Sequence, residues 1–152
     1  MHGPLYFFFK YFSIRRTGST DEFRITECRC SSAKSIFQLD GQGIVGKSTY
    51  AGLPWLLFLR QHEKLRRKIQ FWPFEGFRPR EGRSIIAEVY PSLFRRRYPK
   101  TAPTQDAHDA YAVARWLQET DNNGLLKRYF DPPLTEEERL VVGREGWILG
   151  VG

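Results

Sequence analysis

The stretch Ser84-Ile-Ile-Ala-Glu-Val-Tyr90, followed by Pro91, is the one whose reading decides the fold. It is rich in β-branched residues, nearly continuously apolar, and stopped by a proline that cannot donate to a ladder. Such a run predicts an interior strand covered on both faces, as in α/β sheets, rather than the alternating pattern of a half-solvated strand. Before it, IQFW at 69–72 predicts a second strand closed by Pro73, with a loop carrying Gly76, Pro79 and Gly82 between the two. Beyond it, Ala107, Ala110, Tyr111, Ala114 and Leu117 recur at helical spacing behind Thr104, a good N-cap. A helix is therefore expected over about 105–120, ended by Asn123 and Gly124. Thr135, with Glu138 three residues on, is a capping box that starts a final short helix. Further towards the N-terminus, SIFQL at 35–39 predicts a short strand. Gly52 and Pro54 then bracket the start of a helix whose apolar face is Leu53, Leu56, Leu57 and Leu59. Strands alternating with helices argue for α/β.

The chain has 152 residues, enough for one domain or a piece of a larger one. Residues 1–32 read as an aromatic and then polar N-terminal segment, with RRTGSTDEF at 15–23 an exposed loop; residues 33–152 carry the regular elements. Two or three strands are few, since sheets usually have about four to six. No clear strand precedes residue 35, so the chain reads like the second half of a domain. No apolar run reaches the roughly 18 residues of a membrane span. The aromatic run LYFFFKYF at 5–12 is broken by Lys10 and lacks the flanks of a secretory signal, so no membrane association is expected. Cys28 and Cys30 are too close for an unstrained disulfide, which points to reduced thiols and a cytoplasmic protein.

Charge is unevenly placed. The formal net charge is +7, yet residues 60–100 alone hold 12 Lys and Arg against 4 Asp and Glu. The clusters Arg66-Arg67-Lys68 and Arg95-Arg96-Arg97 stand out within that segment. Such clusters attract polyanions in a salt-dependent, sequence-independent way, so nucleic acid or another phosphate ligand is one expectation and a solvated surface the other.

Two strings carry possible chemistry. The first is Gly41-Gln-Gly-Ile-Val-Gly46-Lys47-Ser48, which fits the phosphate-binding pattern GxxxxGK[ST]. In a true P-loop, Lys47 would reach the phosphates and Ser48 would hold Mg²⁺. Against it, Gly52 and Pro54 interrupt the helix that should follow, and no later strand ends in an Asp. A Gly-rich structural connection is the favoured alternative.

The second is a set of carboxylates. Glu88 lies near the end of the apolar strand, where a buried charge demands a partner. Asp106 and Asp109 share one face at the start of the 105–120 helix. Convergence of Glu88, Asp106 and Asp109 on Mg²⁺ or Mn²⁺ would suit phosphodiester hydrolysis. Alternatively, the two Asp residues complement the helix dipole and Glu88 pairs with an arginine. His108, between the two acids, reads as a satisfied or surface residue rather than a ligand.

Taken in order, FQLDGQGIVGKSTYAGLPWL (37–56), FWPFEG (71–76), IIAEVYPSL (85–93) and QDAHDAYAVARWL (105–117) resemble the predicted ribonuclease-H-like nuclease family of the DUF429 type. The resemblance covers roughly residues 33–152. It implies an RNase H-like mixed sheet with flanking helices, incomplete on its N-terminal side, because the family's opening strands and their Asp have no counterpart. His2, in MHGPL, falls where relatives would carry that Asp. It also implies that Gly41, Gly43, Val45 and Gly46 are structural and that the P-loop-like string is coincidental. Glu88, Asp106 and Asp109 would be the metal-binding and catalytic acids of a nuclease using Mg²⁺ or Mn²⁺. Arg66, Arg67, Lys68, Arg95, Arg96 and Arg97 would contact the phosphate backbone of nucleic acid. A P-loop-like nucleotide-binding protein and a non-catalytic basic nucleic-acid-binding fragment are the alternatives.

Overall fold

The computed structural model describes residues 18–30, 32–39 and 46–152. The aromatic run at 5–12, His2 and the loop at 40–45, including Gly41, Gly43 and Val45, lie outside the described residues. Among the described residues the chain is mixed α/β. Its helices are α1 (Ile25–Arg29), α2 (Gly46–Gln61), α3 (Gln105–Asn122), α4 (Leu126–Phe130) and α5 (Glu136–Glu145). Its strands are β1 (Ile69–Phe71), β2 (Ser84–Ile86), β3 (Glu88–Val89) and β4 (Ile148–Leu149). No described helix is long and apolar enough to cross a membrane.

The strands pair in parallel as two small sheets, β1 with β2 and β3 with β4. The stretch 84–90 thus serves both, changing partner at Ala87. Its residues are only half-buried and Glu88 is exposed, so the expected interior strand is covered on one side only. A parallel pair needs a long crossover, and residues 72–83 supply it without a helix. Gln70, fully buried in β1, organises that crossover. Its amide donates to the carbonyls of Gly76 and Arg78 and accepts from Arg80 N–H. Trp72 Nε1 donates to the carbonyls of Phe77 and Phe130, bringing α4 to the same place.

The core is aromatic. Phe94 stacks on Trp116 of α3 with ring centroids 4.0 Å apart, and Trp116 meets Tyr129 edge-on. Trp72, Trp116, Trp147, Ala112, Val142, Ile148 and Leu149 are all buried. Gly150 turns away from β4 at φ +100°, and an added Cβ would lie 2.5 Å from Phe94 Cζ.

Both C-terminal helices are built as their caps require. Thr104 accepts from Ala107 N–H to start α3, and Thr135 and Glu138 form a reciprocal box at α5. Three expectations fail. SIFQL at 35–39 is a turn rather than a strand, because Ser35 Oγ and its carbonyl take the Phe37 and Gln38 N–H groups. Helix α2 begins at Gly46 and runs through Pro54, whose missing donor is tolerable where water reaches the backbone. Its expected apolar face is not packed: Leu53, Leu56 and Leu57 are exposed.

Two predictions follow from these contacts. Gly150→Ala must displace the Phe94–Trp116 stack, and a loss of about 1–3 kcal/mol is expected from urea unfolding. Glu137 is held below the ordinary carboxylate pKa by its own backbone N–H and by the Thr135 hydroxyl. A depressed folded pKa stabilises above the unfolded pKa and is lost as pH falls through the folded one. Glu137→Gln should therefore flatten the acid limb of Tm against pH and leave Tm unchanged in its slope near neutrality.

Candidate functional site

Arg24 opens the site. Its side chain is only 8% exposed, and its fork grips both oxygens of Glu88, at 2.7 Å and 2.8 Å. Nε donates to Glu27 at 2.8 Å, and Nη1 also donates to the carbonyl of Glu145 at 3.2 Å. Glu27, buried in α1, takes the Arg24 backbone N–H on its other oxygen at 2.9 Å. Burial alone would lower the guanidinium pKa, but the hydrogen bond and charge of Glu88, with those of Glu27, raise it well above its ordinary value. The group is a permanent buried cation, which only paired carboxylates make tolerable.

Around this fork the termini of three elements are fixed. Thr26, fully buried, accepts from the Ile148 N–H at 2.9 Å and so continues the ladder of β4. Arg29 reaches Glu138 of α5 at 2.6 Å and lies over the Trp147 ring. Arg24 and helix α1 are thereby tied to the body of the chain.

The three acids singled out from sequence are not gathered. Glu88 faces Arg24 at the start of β3. Asp109, one turn into α3, holds Arg95 Nη2 on one oxygen and Gln105 Nε2 on the other, each at 2.7 Å. Asp106 is exposed in the first turn. Among the described residues, no three His, Cys, Asp or Glu side chains form a group able to hold a metal ion. With both oxygens of Glu88 and of Asp109 already taken by nitrogen donors, this arrangement does not fit Mg²⁺ or Mn²⁺. His108 is buried, and its Nε2 donates to the Arg95 carbonyl at 3.0 Å, fixing the turn at Arg95–Arg97 on α3.

The basic clusters divide. Arg66, Arg67 and Lys68 are exposed in the turn 62–68 after α2, where with Lys64 and Glu63 they line an open depression. Arg96 is exposed as well, and Arg97 lies over the Phe94 ring. Arg95 points inward to Asp109. None of Arg66, Arg67, Lys68 and Arg96 forms an ion pair among the described residues.

Around the P-loop-like string, helix α2 does begin at Gly46, contrary to expectation, and no strand precedes it among the described residues. A Cβ at Gly46 would sit 2.8 Å from Leu39 Cα, so this glycine answers a close backbone approach. No family model, curated protein or solved structure matches the chain.

Arg24, Thr26 and Glu27 are the residues that sequence reading passed over. Their one local signal is Arg24 and Glu27 three apart, because the other partners come from distant segments. Arg24→Met leaves Glu27 buried without its cation, and a loss of about 3–5 kcal/mol is expected in denaturant unfolding. Arg24→Lys should recover little of it, since an ammonium cannot span both Glu88 oxygens.

Proposed function

We propose that this chain is a basic nucleic-acid-binding protein, of ribonuclease-H-like kinship, that engages the phosphate backbone through charge. The observation that supports it is the outward display of Arg66, Arg67, Lys68 and Arg96, none of which forms an ion pair among the described residues. Exposed cations without acidic partners are free to neutralise phosphates and release their counterions. Such contacts position a strand without reading its bases.

Metal-dependent phosphodiester hydrolysis is the second reading, supported by the sequence resemblance. The Glu88 carboxylate opens the parallel strand β3 and is 48% exposed. Hydrolysis would require Glu88 and Asp109 to exchange Arg24 and Arg95 for ions.

The test is anisotropy of a labelled oligonucleotide across a salt series. Binding by the wild type should weaken steeply with salt, and Arg66→Ala with Arg67→Ala should reduce the log–log slope by about 2. Neither EDTA nor Asp106→Asn should alter the affinity. Absence of salt-dependent binding ends the proposal. An effect of Asp106→Asn seen only with Mn²⁺ present would favour the hydrolase instead.

A further inference from the structure

An aromatic stripe on α2 leads into the basic turn at 62–68. Trp55 and Phe58 stand three residues apart, and His62 follows four further on, so their rings share one side of the helix. The backbone keeps that spacing past the end of α2. His62 N–H donates to the Phe58 carbonyl at 2.8 Å, and Arg66 N–H donates to the His62 carbonyl at 2.9 Å. Arg66 therefore stands one turn beyond His62, with Arg67 and Lys68 next to it. The Phe58 and His62 rings meet edge-on with centroids 5.1 Å apart. Trp55 is 72% exposed and Phe58 50%. From Trp55 to Arg66 the stripe runs about 16 Å.

We infer that this stripe is a stacking platform for single-stranded nucleic acid, whose bases lie on Trp55 and Phe58 while its phosphates meet Arg66, Arg67 and Lys68. The platform presupposes the nucleic-acid reading above and specifies which form of nucleic acid that site takes. A single strand supplies both things the stripe asks for, flat π-faces and regularly spaced negative charge, and base–aromatic stacking tolerates any sequence. A duplex keeps its base faces within its own stack and answers only the cations. A bilayer is a poorer match. A helix lying in a membrane surface carries a charged face along its length, whereas no charged residue lies between Ser48 and Leu59. No described helix is long and apolar enough to cross a membrane either. Leu53 and Leu57 lie on the opposite side of α2 from Trp55 and take no part in the platform.

Anisotropy and tryptophan emission of the full chain test this, using oligothymidylate of about 15 nucleotides, alone or paired with oligodeoxyadenylate, at one salt concentration. The single strand should bind at least ~10-fold tighter than the duplex. It should also quench tryptophan emission, a signal that belongs to Trp55 because Trp72, Trp116 and Trp147 are buried. Trp55→Ala should remove the quenching and, like Phe58→Ala, weaken single-strand binding about 5- to 100-fold. Duplex binding and circular dichroism should stay unchanged in both variants. Leu53→Ala, on the far side of the helix, should alter neither binding nor quenching. Equal binding of the two forms, with Trp55→Ala without effect, overturns the platform and leaves the nucleic-acid reading standing. Binding of neither form removes both. Trp55 emission that answers phosphatidylserine vesicles and not the oligonucleotide also overturns the platform.

Discussion

The guanidinium of Arg24 is the constraint on which the rest of the structure depends. Strands β3 and β4 are two residues long each and cannot hold a sheet by their own ladder. Arg24 grips Glu88 at the start of β3 and the Glu145 carbonyl at the end of α5, and Thr26 takes the first N–H of β4. One buried fork and one hydroxyl therefore supply what longer strands would supply elsewhere. Desolvating such a cation is costly, and the cost is offset only because four side-chain hydrogen bonds and two carboxylates meet it. An apolar residue in its place would fill the volume and lose the register.

Arginine elsewhere repeats the same division of labour. Arg95 draws Asp109 to the turn after β3, Arg139 reaches Asp131 while lying over Phe77, and Arg29 links α1 to α5. These arginines take up acids of other elements. Most cations of 60–100 stay exposed, Arg66, Arg67, Lys68 and Arg96 among them. The carboxylates that resemble a metal set are the same ones the inward arginines hold, so ion pairing and ion binding compete for Glu88 and Asp109.

Local chemistry was legible in the sequence and tertiary chemistry was not. Helices α3 and α5 start where Thr104 and Thr135 require, because a cap acts within four residues. Strand β1 and the stretch 84–90 were visible from their composition, though not the change of partner at Ala87 that divides the latter between two sheets. Helix α1 was missed because five residues carry no periodicity and its stability comes from partners 64 and 121 positions away. Helix α2 was started too late because Gly52 and Pro54 weaken a buried helix far more than one in water. The strand expected at 35–39 lost to a serine that bonds its own backbone. At the candidate site, an arginine partner for Glu88 was foreseeable, but which arginine was not, since Arg24 lies in a segment of polar composition.

The meeting of Arg24 and Thr26 with Glu145 and Ile148 also bears on how the polypeptide is made. During synthesis Arg24 and Thr26 emerge from the ribosome first, and their partners Glu145 and Ile148 follow only 121 and 122 residues later. Until then Glu27 has only its neighbour Arg24, and the Thr26 hydroxyl lacks the Ile148 N–H that it accepts. Folding of this body accordingly waits until residues 145–148 have been made.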